Sequence, residues 1–221
     1  MTATTSGTRL YLITPATAEA DTLNPLLEAA MKVGAVDCVY LRLSVSDETA
    51  CKRLVQASAP VVQSGGAALL IDPPADMRNV ARWGADGVHV FNPEHLTSAL
   101  AELKPVPAKT NWVVGAGGLR SKDAAMAAGE DGCDYVMFGE PRADGSLPPL
   151  EQVAERCQWW AEVFNTPCVG YAPSLEAVKI LGATGVEFVA LGEWAFTGSP
   201  AHVGQTVDEA AKILQSFPSK L

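Results

Sequence analysis

Two residues of this 221-residue chain, Arg42 and Glu140, combine a reactive or charged group with a position at the end of an apolar run. Strand-like alternation puts Tyr40, Arg42 and Ser44 on one face of the run Cys38–Leu43 and Val39, Leu41 and Leu43 on the other. If the apolar face meets helices, Arg42 points inward, where an arginine needs a carboxylate or an anionic ligand. The two readings are ligand binding and a structural ion pair with an inward acid such as Glu187. Glu140 follows Tyr135–Gly139, and a carboxyl there can act as general acid or base if burial raises its pKa. Its neighbour Arg142 favours the plainer reading of a solvated loop glutamate. His89 alternates with Val88 and Val90, so it is expected to face inward, more as a satisfied core histidine than as a ligand. Glu94 and His95 match no standard metal spacing and read as first-turn helix residues.

Three loops could admit an anion. Gly115-Ala116-Gly117-Gly118-Leu119-Arg120 lets backbone approach a ligand and leads into a helix N-terminus. It is an incomplete nucleotide-binding fingerprint, and a tight turn explains it more simply. Gly170-Tyr171-Ala172-Pro173-Ser174 offers Ser174 as a helix N-cap, but Pro173 has no N–H to give a phosphate. Leu191-Gly192-Glu193 leaves Gly192 as an open approach, and Trp194 and Phe196 beyond it read as rim caps or as a cover over a ligand.

The elements that must position these residues repeat. Short apolar runs at Leu10–Thr14, Cys38–Leu43, Ala67–Asp72, Gly87–Phe91, Trp112–Gly115, Tyr135–Gly139, Pro167–Tyr171 and Val186–Gly192 alternate with helical stretches. Strand then helix, eight times over, predicts a parallel sheet, and eight units in this length predict a closed (β/α)8 TIM barrel. Gly34, Gly84, Gly132 and Gly182 each precede a strand, at steps of 84−34=50, 132−84=48 and 182−132=50. Each is expected to end a helix in the left-handed region, one per quarter-barrel. No composition break divides the chain, so residues 1–221 read as one domain, with 1–8 a flexible N-terminal tail. In such barrels, chemistry sits at the C-terminal ends of the strands.

Composition narrows the function classes. The net charge is −9, so no basic face for a nucleic-acid backbone is expected. Five cysteines, an odd number without a CxxC pair, argue against both a disulfide framework and a zinc site. The N-terminal residues lack a signal-peptide pattern and no apolar run can span a bilayer, so a cytoplasmic protein without membrane partners is expected.

Gly84-Ala85-Asp86-Gly87-Val88-His89-Val90, Gly132-Cys133-Asp134-Tyr135-Val136, Leu41-Arg42 and Leu10-Tyr11-Leu12-Ile13-Thr14 together resemble the thiamine phosphate synthase family, which includes the thiazole tautomerases. The likeness runs in order over nearly the whole chain. It implies a barrel that joins an aminopyrimidine pyrophosphate to a thiazole phosphate with Mg²⁺ on the pyrophosphate, so the expected partner is a small phosphorylated heterocycle. Barrels of this kind often form dimers, which makes a homodimer a candidate assembly.

The family pattern then departs. Its Gln-Leu-Arg-x-Lys keeps Arg42, but Tyr40 replaces Gln and Ser44 replaces Lys. Asp72-Pro73-Pro74 stands where the family has Asn-Asp, leaving Asp72 as a metal-side carboxylate and Glu94 as a weak substitute for the next acidic group. The family's Ser after the fifth strand aligns with Gly117, its small residue in the sixth with Met137, its Thr- and Lys-bearing loop with Arg142-Ala143-Asp144-Gly145-Ser146, and its phosphate-cradling Gly-Gly with Ala172-Pro173. Departing pyrophosphate needs cationic and metal stabilisation, each such group contributing a few kcal/mol. The resemblance therefore implies weak or altered synthase chemistry. Arg42 and Glu140 are the catalytic candidates. Tyr40, His89, Gly117, Arg120, Tyr171, Ser174 and Gly192 are the ligand-binding ones. A tautomerase-like isomerase would use Glu140, which aligns with a family histidine, to move protons; a non-catalytic binding or regulatory protein would need no such group.

Overall fold

Alternating side chains along each short strand divide the interior into two layers. The computed structural model describes residues 7–17, 19–43, 47–104 and 111–217. Among them run β1 (Arg9–Ile13), β2 (Val36–Leu41), β3 (Ala68–Ile71), β4 (Gly87–Val90), β5 (Val113–Ala116), β6 (Tyr135–Phe138), β7 (Cys168–Ala172) and β8 (Phe188–Leu191). They pair in parallel in chain order, and β8 returns to β1, with Leu12 opposite Leu191. The intervening helices are α1 (Ala20–Met31), α2 (Glu48–Ser64), α3 (Arg78–Trp83), α4 (Leu96–Leu103), α5 (Lys122–Glu130), α6 (Leu150–Val163), α7 (Leu175–Gly182) and α8 (Pro200–Gln215). This is the (β/α)8 barrel that the alternation predicts. No described helix is long and apolar enough to cross a membrane.

The outer layer holds Leu10, Leu12, Val39 and Leu41 against the helices. The inner layer holds Tyr11, Ile13, Tyr40, Leu70, Tyr135, Met137 and Tyr171. The β2 alternation therefore falls as expected for Val39, Leu41 and Tyr40, while Ser44 lies outside the described residues. All four tyrosines of the chain point into the barrel. Gly115 makes this packing feasible, because a Cβ there would lie 1.9 Å from Cζ of Tyr135.

The quarter-barrel repeat has a chemical function at the N-terminal end of the barrel. Asp86 accepts from the Leu69 amide at 2.7 Å and Asp134 from the Val114 amide at 2.7 Å, so each ties its strand to the one before. Glu187 does the same for Cys168 at 2.9 Å, which corrects its expected role as the partner of Arg42. Gly34, Gly84 and Gly132 take the left-handed conformation. Gly182 does not. It is the last residue of α7, packed where a Cβ would meet Phe217 at 2.8 Å, and Gly185 (φ 80°) makes the left-handed turn instead. Residues 1–6 of the expected tail lie outside the described residues. Thr8 is anchored, its hydroxyl donating to the Val186 carbonyl at 2.9 Å.

Candidate active site at the barrel mouth

A cavity of about 550 Å³ opens at the C-terminal ends of the strands. Tyr40, Phe91 and Tyr171 line it as aromatic wall, and the loop after β6 contributes Arg142, Ala143 and Gly145. That loop is a tight turn, with Arg142 and Ser146 joined backbone to backbone at 2.9 Å and Gly145 donating back to Arg142 at 2.9 Å.

The polar feature at the inner wall is a hydrogen-bonded chain. Glu140 Oε1 lies 2.7 Å from Nε2 of His89, and Nδ1 of His89 lies 2.7 Å from the Tyr135 hydroxyl. That hydroxyl lies 2.8 Å from the hydroxyl of Tyr11. The second oxygen of Glu140 accepts from the Gly118 amide at 2.9 Å. With Glu140 as carboxylate, Nε2 of a neutral imidazole carries the proton and Nδ1 accepts from Tyr135, which accepts from Tyr11. The His89 side chain is fully buried and that of Glu140 only 6% exposed. This corrects the reading of Glu140 as a solvated partner of Arg142. His89 is satisfied at both nitrogens, as a core histidine would be, yet one of its partners lines the cavity.

Gly117 is what lets this pair form. A Cβ at that position would lie 2.4 Å from both Nε2 of His89 and Oε2 of Glu140. The glycine therefore makes room for side chains of the protein rather than for a ligand. Gly192 is similar, since a Cβ there would lie 2.3 Å from the Tyr171 hydroxyl. Gly192 and Tyr171 both line the cavity, but the space expected to admit an anion at Gly192 is filled by the phenol.

Tyr40 donates to Asp72 Oδ1 at 2.5 Å, and Asp72 Oδ2 accepts from the Leu43 amide at 2.6 Å. Burial, with the Asp72 charge as the next cause, pushes the Tyr40 phenol well above its ordinary value, so it stays a donor across the neutral range. Burial likewise raises Tyr11, Tyr135 and Tyr171. Arg42 reaches the rim and forms an ion pair with Glu193, both partners partly exposed, while its amide donates to Thr14 Oγ1 at 3.1 Å.

The remaining candidates fall elsewhere. Ser174 caps α7, its hydroxyl accepting from Ala177 at 3.2 Å, and it does not line the cavity. Glu94 and His95 lie in an exposed 3-10 turn, Pro93–His95, capped by Asn92. Trp194 donates its indole N–H to the Ala172 carbonyl at 2.7 Å and so caps the rim. Both oxygens of Asp72 are engaged, Glu94 is absent from the cavity wall, and no group of three or more His, Cys, Asp or Glu among the described residues is arranged to hold a metal. Of the two metal-side candidates, the cavity wall holds Asp72 and not Glu94. Arg120 lies on a second, smaller crevice beside the first.

Sequence reasoning undervalued the coupling of Glu140 to His89. Its sequence signal is that His89 faces inward on a strand two places before the one that Glu140 follows; the glycine that admits the pair comes just after the strand between them.

Comparisons with known proteins bear on the family of the chain. A family model described as thiamine monophosphate synthase matches residues 10–195. The thiamine-phosphate synthase of Rhodospirillum centenum is 34% identical over 197 residues, covering 87% of this chain and 92% of that protein. The thiamine-phosphate synthase of Hyphomonas neptunium is 31% identical over 207 residues, covering 88% and 89%. Among solved structures, thiamine phosphate pyrophosphorylase from Pyrococcus furiosus superposes with a TM-score of 0.71 at 18% identity, covering 94% of this chain and 95% of that one. Tryptophan synthase from M. tuberculosis gives a TM-score of 0.70 at 13% identity, covering 95% and 94%. At such identities the structural likeness shows the barrel alone. The family match and the curated relatives show more: the chain belongs to the thiamine monophosphate synthase family.

Proposed function

We propose that the mouth cavity binds a pyrimidine pyrophosphate and a thiazole phosphate and joins them with loss of pyrophosphate, at a rate reduced by the charge of its wall. The observation that carries this reading is the cavity itself: about 550 Å³ with aromatic faces for rings and a buried carboxylate–imidazole pair at its inner wall. Glu140 accepts a hydrogen bond from the polar edge of a heterocycle and so orients the ring, while His89 and the two phenols behind it fix its own orientation and spread the charge.

Electrostatics explains the altered rate. Asp72, Glu140 and Glu193 line the cavity against Arg42 and Arg142, a balance of three negative to two positive groups. Arg42 is moreover spent on Glu193. A wall of that charge gives little help to a departing pyrophosphate.

The curated relatives favour the synthase reading over an isomerase or a non-catalytic barrel. The test is a coupled assay of pyrophosphate release with both substrates, beside thermal unfolding with each. Slow release, one pyrophosphate per thiamine phosphate, is the expected result. Either substrate at about 100 times its dissociation constant should add roughly 2.7 kcal/mol of stability. No product and no stabilisation by either substrate would reject the proposal.

A further inference from the structure

The chain has eight arginines, and four of them, Arg9, Arg42, Arg78 and Arg82, are paired with carboxylates. Among the described residues the other four make no ion pair. Three of those four, Arg120, Arg142 and Arg156, line one crevice of about 90 Å³ between the β5–α5 loop, the β6–α6 loop and α6. In a chain of net charge −9 with 25 acidic residues, three guanidinium groups face one hollow without making an ion pair, the nearby charge of Asp144 on Arg142 being a looser interaction. Their existing hydrogen bonds are weak claims on them: Arg142 reaches Ser146 Oγ at 3.3 Å and Arg156 the Leu119 carbonyl at 3.4 Å. The acid in the wall, Glu140, has both oxygens engaged, one by His89 and one by the Gly118 amide. Three positive groups against one negative leave the crevice at 3−1=2 positive, opposite in sign to the adjoining mouth.

We infer that this crevice is an oxyanion subsite, taking one phosphate group on Arg120, Arg142 and Arg156 with Gln152 as a further donor. Guanidinium forks match the oxygens of phosphate two at a time. The crevice is much smaller than the mouth cavity, about 90 Å³ against about 550 Å³, which suits a phosphate group better than a ring. The mouth and the crevice share Phe91, Glu140, Pro141 and Arg142, so a ring in the first can carry its phosphate into the second. The places expected to hold phosphate at the other side of the mouth are closed by Pro173 and by the Tyr171 hydroxyl over Gly192. The source of the phosphate rests on the function proposed above; the subsite itself rests on the arginines.

The test is isothermal titration of inorganic phosphate and of thiazole phosphate into the full chain at low ionic strength. Arg120→Gln and Arg156→Gln should each weaken phosphate binding at least tenfold, with Arg156→Lys losing less. Arg53→Gln, which removes the fourth unpaired arginine from α2, should leave binding unchanged. Arg120 makes no hydrogen bond or ion pair among the described residues, so Arg120→Gln should keep the wild-type unfolding temperature. Displacement of phosphate by thiazole phosphate supports a substrate source, and binding of phosphate without that competition supports a free anion in the same subsite. Phosphate affinity that is absent in the wild type, unchanged in Arg120→Gln and Arg156→Gln, or lost equally in Arg53→Gln overturns the subsite. Failure of the two readings is separable. Phosphate binding lost only in the crevice variants, with no heterocycle bound, rejects the synthase proposal and keeps the subsite. Turnover with unaltered KM in Arg120→Gln and Arg156→Gln rejects the subsite and keeps the synthase.

Discussion

Glu140 and His89 hold each other in place, and removing either has different consequences for fold and chemistry. His89→Ala leaves the Glu140 carboxylate and the Tyr135 hydroxyl facing a buried hole where both had a partner within 2.8 Å. Leaving a buried carboxylate and a buried hydroxyl without their partner costs about 1–3 kcal/mol for each group, and urea unfolding should read a loss of that order. Glu140→Gln keeps the shape: its amide oxygen can still accept from Gly118 and its volume is unchanged. The folded state should lose no more than about 1 kcal/mol, whereas kcat/KM for pyrophosphate release should fall at least tenfold. Equal turnover in Glu140→Gln and wild type would show that this carboxylate only holds the barrel together. Gly117→Ala offers an independent approach to the same pair. Its Cβ would intrude at 2.4 Å on both side chains and should lower activity by displacing Glu140 with no change of charge.

Within the elements, two glycines illustrate different physical constraints. Gly115 in β5 has an ordinary backbone, and its constraint is space, because a methyl would sit 1.9 Å from the Tyr135 ring. Gly34 after α1 has open space around it, and its constraint is conformation, at φ 71°. Gly115→Ala should therefore cost about 2–4 kcal/mol through overpacking of a rigid barrel interior. Gly34→Ala should cost only about 1 kcal/mol through left-handed strain. Urea midpoints of the two variants check the order. The same comparison explains why the glycine period misleads at its fourth member. Spacing shows that a glycine recurs; it does not show which of Gly182 and Gly185 turns the chain and which makes room for Phe217.

For the molecule as a whole, burial of every tyrosine inside the barrel couples stability to alkaline pH. Burial raises all four phenols in the folded state, while in the unfolded chain they ionise near the ordinary value of 10.0. Above that pH the native state binds more protons than the unfolded one, so stability falls as pH rises and is fully present below it. Each phenol that keeps its proton contributes up to about 1.4 kcal/mol of loss per pH unit. Tyrosinate absorbance should therefore appear together with cooperative unfolding rather than gradually around pH 10. The thiols behave alike: all five cysteines are buried, and burial pushes Cys133 up to about 12 and Cys38 higher. A thiol reagent at pH 8 should label the folded protein scarcely at all and five groups per chain after denaturation.

The sequence by itself determined the barrel. Hydrophobic period and strand–helix alternation are local signals that survive in one dimension, and the acids that tie successive strands together recur at near-constant spacing with them. The same local logic placed His89 and Tyr40 inside, because alternation along a strand fixes which face each residue shares. Only the tertiary structure decided what those residues meet. The pairing of Glu140 with His89 spans 51 residues, that of Arg42 with Glu193 spans 151, and the three unpaired arginines come from two loops and a helix. Such contacts depend on side-chain reach and on the space that Gly117 and Gly192 leave open, and sequence spacing does not encode either. Whether a charged group is solvated, paired or poised for a ligand is set by the few ångströms around it once the barrel has closed.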